Sequence, residues 1–312
     1  MGEWSKTIGE YGEETIENFL KLIGWGEAPK NIPFKCLKTK KHSTDSEKNR
    51  QTHGIDFYFS YLSPLVDNTL KNIHISSKYK TSVYPNSPAR LFKEYAQELA
   101  WTIDCFKISQ KKSEFSSSIK GYKHVEEIGV LFWLTNNETS YDDLASKLAA
   151  VNLNFEGPIQ NLYLVDNKRI SFIIQALRYA NSSYKNHTIN FFYPNTGKNI
   201  IPTQKQDYGK ILPVEYINSS IILLRVQDEV GKTGLIIFSI DPFSKTDLAR
   251  LIGLSQDLSK SWSGFINICF PNYEKLLHDP EVRQIKADFH KDLFVDNLTV
   301  TSYSNSFKSI ND

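Results

Sequence analysis

The chain has only three cysteines in 312 residues, Cys36, Cys105 and Cys269. They lie far apart and form no Cys-x-x-Cys pair. That excludes a disulfide-stapled secreted scaffold and makes a reducing cytosol the expected, cytoplasmic compartment. Long apolar runs are also missing. The longest, near residues 220–226 and 235–240, are far too short to span a bilayer. No signal peptide is expected, because residues 1–6 lead straight into a charged helix. Lys6 stands where a myristoylation signal needs Ser or Thr. Charge of one sign is scarce: 37 Lys and Arg face 35 Asp and Glu, a net +2 with His neutral. The molecule is therefore not a uniformly polybasic nucleic-acid binder. There is no phosphate loop, no Gly-x-Ser-x-Gly nucleophile elbow and no His-Glu-x-x-His zinc site. Gly231-Lys232-Thr233 lacks the upstream glycine and the following helix of a Walker motif, so it reads as a turn. The seven histidines do not cluster along the chain, and His42 and His53 are not spaced as a metal pair.

What is present suits a globular protein with a sizeable core: 40% of residues are apolar and 13% aromatic. The length predicts two domains or one large one. The best linker is the polar, serine-rich stretch 109–121, which puts the boundary at 1–120 and 121–312. The positive excess is local. Residues 1–120 carry 18 Lys and Arg against 14 Asp and Glu, leaving 19 against 21 in the remainder.

Residues 7–23 are predicted helical, with Ile16, Phe19, Leu20 and Ile23 at i, i+3, i+4 and i+7. Gly24 is the expected left-handed cap. Residues 28–52 turn polar and loop-like after Pro33 and contain Lys38, Lys40, Lys41, His42 and Arg50. A basic loop there would either follow a phosphate backbone or simply be a solvated loop. Two strands are then predicted, 55–61 and 72–79, with a loop over 63–71. Side chains alternate along a strand, so Ser76 and Lys78 share a face. If the strands pair, Asp56 approaches both. His53 is expected at the rim of that site or in a turn. Residues 89–106 form a strongly periodic helix.

Taken together, Gly12-Glu13 at the head of an amphipathic helix, Gly54-Ile55-Asp56 on a strand and Ser76-Ser77-Lys78 on the next resemble the PD-(D/E)XK nuclease superfamily, in particular its Holliday-junction-resolvase-like branch. The resemblance covers about residues 9–106. It implies a restriction-endonuclease-like αβ(β)αβ core, α/β in class, with Glu13, Asp56 and Lys78 as catalytic residues. Glu13 and Asp56 would be ligands of Mg²⁺ or Mn²⁺. Ser76 departs from the pattern, which has Asp or Glu there. The missing carboxylate is expected from the following helix, where Glu94 and Glu98 lie, or is compensated by a backbone carbonyl near Ser77. Gln97 on that helix is a further site-associated candidate, and Lys80 a phosphate contact beside Lys38, Lys40 and Lys41.

Beyond residue 121, strands and helices alternate: strand 129–135, helix 141–151 capped by Thr139 or Ser140, strand 159–165, helix 168–181 and strand 188–193. This β-α-β-α-β run points to a mainly parallel sheet. A hairpin over 221–240, a helix over 244–258 capped by Ser244, a strand over 264–270 and a helix near 280–289 complete a second α/β region with a mixed sheet. The tail from Asn297 is expected to be loose. This region is assigned to assembly or sensing.

The favoured reading is a metal-dependent DNA nuclease in anti-phage or anti-plasmid defence, held in check by a partner protein in a hetero-complex, with no membrane association. Two others stay open. One is a DNA-binding or DNA-end-sensing subunit with a degenerate nuclease site, which Ser76 favours. The other is an α/β protein unrelated to DNA.

Overall fold

The structure is a computed structural model that describes residues 2–43, 49–116, 119–136, 143–153, 159, 161–199, 207–259, 262–289 and 293–303. The chain divides into two compact units, Met1–Ile170 with Gly197–Ile200, and Ser171–Thr196 with Ile201–Asp312.

The first unit is built on a five-stranded sheet in the order β1-β2-β3-β4-β5. Its strands are β1 (Lys30–Lys35), β2 (Thr52–Leu62), β3 (Thr69–Lys80), β4 (His124–Thr135) and β5 (Asn161–Val165). β1, β2 and β3 pair antiparallel, and β3, β4 and β5 pair parallel. Helix α1 (Gly2–Leu22) covers one face, with Phe19 against Phe132 of β4 at 5.8 Å between ring centroids. Helix α2 (Ala89–Phe106) covers the other, where Leu99 and Ile103 meet Leu131 and Trp133. Alternation along β4 separates Phe132 from Leu131 and Trp133, so the strand is buried on both sides and reads as a continuous apolar run. The predicted stripe Ile16, Phe19, Leu20, Ile23 is buried throughout. Burying each such side chain stabilises the fold by about 1.5–3 kcal/mol. Gly24 ends the helix at a φ of 82°, as a left-handed cap requires.

The boundary expected near residue 120 lies instead near 170. The stretch taken for a linker contains helix α3 (Gln110–Ser116) and delivers β4, which pairs with β3 from Thr69↔His124 to Lys80↔Thr135. A long parallel pairing of this kind links residues far apart in the chain and leaves no local trace. Part of the expected loop 28–52 is likewise β1, whose exposed alternate residues make it look polar. Helix α4 (Leu144–Leu148) is shorter than expected and is capped by Asp143, whose carboxylate accepts the Ser146 N–H. The proposed caps Thr139 and Ser140 lie outside the described residues.

The second unit carries a six-stranded sheet in the order β11-β10-β9-β8-β6-β7. Its strands are β6 (Thr188–Phe192), β7 (Tyr208–Gly209), β8 (Ile221–Gln227), β9 (Thr233–Ser239), β10 (Phe265–Phe270) and β11 (Leu298–Ser302). β9, β10 and β11 run parallel, while β8 is antiparallel to β9 and β6. The β-α-β-α-β run expected to form one sheet is instead divided between two. Its first two strands are β4 and β5, and its third, reached through helix α5 (Asn167–Ser183), is β6 and pairs antiparallel in the second sheet. The β8–β9 hairpin forms as expected, with Gly231 at a φ of 89° and the Asp228 carboxylate accepting the Val230 and Lys232 N–H groups. Helix α6 (Lys245–Ser259) has Ser244 as its cap, Oγ accepting the Asp247 N–H at 3.1 Å. It packs on the sheet together with helix α7 (Lys275–Asp288). The tail expected to be loose from Asn297 instead supplies β11, seated beside β10.

Candidate active site

The ladder between β2 and β3 runs from Leu62↔Leu70 to Phe57↔Ile75. The strands fork beyond that point, and the carboxylate of Asp56 takes over: its Oδ2 accepts the Ser77 backbone N–H at 2.6 Å. Asp56 thus fills a ladder position with a side chain and is fixed at the apex of the fork. Burial is the main cause that raises its pKa above the usual aspartate value. The Ser77 N–H and the charge of Lys78 offset this in part, and the negative charge of Glu13 adds to it. Glu13 and Lys78 therefore each lie within electrostatic reach of Asp56, and the three come from three separate elements.

Each arrives for a local reason. A Cβ on Gly12 would lie 2.5 Å from Cβ and 2.6 Å from Cγ of Tyr79. The missing side chain lets α1 settle onto β3 one residue from Lys78 and sets Glu13 at the fork. Glu13 Oε2 also accepts from Asn31 Nδ2 at 3.3 Å. Asn31 has a φ of 52°, a left-handed conformation that asparagine tolerates better than most residues. We expect Gly12→Ala to lift α1 from β3 and to cost about 1–3 kcal/mol, the usual range for overpacking. Urea denaturation of the two proteins measures it, and an unchanged midpoint would contradict this account of the Gly-Glu pair.

Lys78 Nζ lies 3.2 Å from Glu98 Oε2 and 5.0 Å from the ring centre of Tyr95, both on α2. Glu98 rather than its neighbour Gln97 is the α2 side chain that meets Lys78. Glu98 thus places a carboxylate from the next helix beside Lys78. Both partners of the Lys78–Glu98 pair are partly exposed, so the pair contributes little to stability. Lys80 is exposed, with Nζ 5.8 Å from the Tyr95 ring centre. In the basic loop, Lys40 and Lys41 are exposed, whereas Lys38 is paired with Asp104 at 2.6 Å.

Sequence reading did not find Asn31 or Tyr95, since neither residue type at its position carries a signal before α1, β1 and α2 are assembled. His53, expected at a rim or turn, is instead buried within β2.

A central sheet of antiparallel and parallel strands between two helices, with an acid at a strand fork and a lysine on the next strand, defines a PD-(D/E)XK nuclease core. A family model for the PD-(D/E)XK nuclease domain of GAPS4 protein matches residues 1–169, more than half of the chain, and the chain belongs to that family. It is thereby a nuclease-type protein associated with anti-phage defence. No curated protein and no solved structure matches the chain. Nucleases of this superfamily generally use divalent metals such as Mg²⁺. Among the described residues no helix is long and apolar enough to cross a membrane.

Proposed function

We propose that the chain is a metal-dependent DNA nuclease that hydrolyses phosphodiester bonds, acting in defence against phage or plasmid DNA together with a partner protein. The observation that supports this reading is that Glu13 and Lys78 both act electrostatically on Asp56 at the β2–β3 fork, with Glu98 against Lys78. The donor set fits a hard divalent cation. Asp56 and Glu13 supply carboxylate oxygens, and Mg²⁺ is often held by one or two carboxylates with water and phosphate. The raised proton affinity of Asp56, to which Glu13 adds, marks a place where negative charge lacks enough compensation. Asp56, Glu13 and a backbone carbonyl near Ser77 would hold Mg²⁺ or Mn²⁺. When bound, such an ion polarises the scissile phosphate and lowers the pKa of a bound water.

The chain's own residues do the rest. Lys78 carries a positive charge beside Asp56, where it orients the attacking water and steadies the charge that develops on the phosphate. Glu98 and the Tyr95 ring hold that amine in place. Lys40, Lys41 and Lys80 supply positive charge for the DNA backbone, and Lys38 does so less because Asp104 engages it.

The test is a cleavage assay with supercoiled, linear and single-stranded DNA in Mg²⁺, Mn²⁺ or EDTA, alone and with any protein that co-purifies. We expect cutting that needs the metal and is lost in Lys78→Ala. Cutting by Lys78→Ala at the wild-type rate would overturn the assignment. Ser76 favours a second reading, a DNA-end-sensing subunit with a degenerate site. Ser76→Glu separates the two: it maintains or raises cleavage if the site is live. If the site is degenerate, wild type binds DNA without cutting it.

A further inference from the structure

A second cluster of reactive side chains lies apart from the Glu13–Asp56–Lys78–Glu98 group. Cys36 follows β1, His42 sits in the loop after it, His53 is near the start of β2, and Cys105 is in the last turn of α2. All four are buried, and one ligand atom from each lies within 4.8 Å of all the others. This corrects the sequence reading that the histidines do not cluster and that His42 and His53 form no metal pair. The spacings are irregular, and the fourth member comes from a different element.

From these contacts we infer that Cys36, His42, His53 and Cys105 form a structural zinc site. Zinc takes four such ligands tetrahedrally, at about 2.3 Å for sulfur and 2.0–2.1 Å for nitrogen. The edges of such a tetrahedron are about 3.8 Å between sulfurs, 3.6 Å from sulfur to nitrogen and 3.3 Å between nitrogens. Here Cys36 Sγ and Cys105 Sγ are 3.9 Å apart. Cys36 Sγ is 3.6 Å and Cys105 Sγ 3.3 Å from His42 Nδ1. His42 Nδ1 and His53 Nε2 are 3.3 Å apart.

With both imidazoles neutral, hydrogen bonds alone do not satisfy the cluster. Thr102 Oγ1 donates its hydrogen to the Glu98 carbonyl at 2.9 Å, so toward His53 Nδ1, 3.4 Å away, it offers a lone pair. His53 therefore carries its proton on Nδ1 and turns the lone pair of Nε2 toward His42. On the far side of His42, Nε2 lies 3.2 Å from Asp104 Oδ2 and is not aligned as a hydrogen bond. If His42 is protonated on Nε2, facing Asp104, its Nδ1 lone pair confronts that of His53. If it is protonated on Nδ1, a lone pair confronts the Asp104 carboxylate instead. A cation at the centre removes the conflict, because both inner nitrogens then point lone pairs at the metal. Carboxylate behind histidine is the usual support for a zinc ligand. The Leu37 N–H, 3.3 Å from Cys105 Sγ, points a donor at one sulfur as a thiolate needs. Two thiolates and two neutral imidazoles balance a divalent charge, as a buried site requires.

The donors also select the metal. Two sulfurs and two nitrogens in a tetrahedron suit zinc and not magnesium, which takes oxygen ligands. The site is thus chemically distinct from the proposed catalytic one and independent of it. Four protein ligands leave no position open for substrate, so the role is structural. It ties the basic loop to β2 three residues before Asp56 and to α2 seven residues after Glu98.

The test reads metal rather than cleavage. The full chain, purified without a histidine tag, chelator or added metal, is analysed for metal content by mass spectrometry. About one zinc per chain is expected, retained in Cys269→Ser and reduced at least about tenfold in Cys105→Ser. Should Cys105→Ser fail to fold, wild type alone decides, by exchange of its metal for Co²⁺. Intense visible absorption with a thiolate-to-cobalt charge-transfer band supports the site. Wild type that holds no zinc, and that shows only the weak absorption of hydrated Co²⁺ or a Cys36–Cys105 disulfide, overturns it.

Discussion

Asp56→Asn is expected to abolish Mg²⁺-dependent DNA cleavage, a fall of at least about 10²–10³-fold, the range set by losing one group aimed at the transition state. The substitution keeps a side-chain oxygen that can still accept the Ser77 N–H at the fork, so the sheet should hold. What it removes is a negative charge. DNA binding, which draws on exposed lysines such as Lys40 and Lys80, should survive within a few-fold. Gel-shift and nicking assays on the same preparations separate the two effects. Cleavage at the wild-type rate would place the reacting centre elsewhere. The wild-type pH profile carries a second signature. A cation ligand must be ionised, and burial raises the pKa of Asp56 above the ordinary aspartate range. Cleavage should therefore decline with falling pH at values above those of a free carboxylate, and DNA binding should not decline with it.

Glu127→Gln is expected to destabilise the first unit by about 3–5 kcal/mol, the cost of removing one partner from a buried ion pair. Glu127 is buried on β4 and accepts from His74 Nε2 at 2.8 Å, from Lys112 Nζ at 2.7 Å and from Asn72 Nδ2 at 3.2 Å. Burial opposes its ionisation, but His74 and Lys112 outweigh that effect and hold its pKa down at about 2. A carboxylate with a depressed folded-state pKa stabilises the protein above its unfolded value, near 4.5. That contribution is lost as pH falls from there through about 2. Wild type should therefore lose stability across this acid window, and Glu127→Gln should be less stable at neutral pH with a flatter acid limb. Urea titrations at several pH values measure both. Equal stability of the two proteins at pH 7 would show that the pair contributes nothing net.

Local patterns made much of this architecture legible. Helix α2 has the expected bounds, residues 89–106, because one periodic apolar stripe marks it. The α1 stripe, the β8–β9 hairpin and the Ser244 cap were visible for similar reasons. Partnerships between distant segments were not. Nothing near Val130 shows that β4 lies against β3, and nothing near Leu298 shows that β10 waits for it. Glu13 and Lys78, whose charges act on Asp56 at the fork, and Asp56 itself each sit in a short recognisable context. The contact of Glu98 with Lys78 depends on how α2 crosses the sheet. The Cys36–His42–His53–Cys105 cluster was hidden for the same reason: no short spacing connects its members.

The central claim is that the carboxylates at the β2–β3 fork gather a divalent cation beside Lys78. Mn²⁺ binding followed by electron paramagnetic resonance, on wild type and Asp56→Asn, tests it without relying on substrate or partner. The account predicts that wild type takes up Mn²⁺ at a site that EDTA empties, and that Asp56→Asn weakens this binding by at least tenfold. Equal Mn²⁺ binding by the two proteins, or none by wild type even with DNA present, would contradict it.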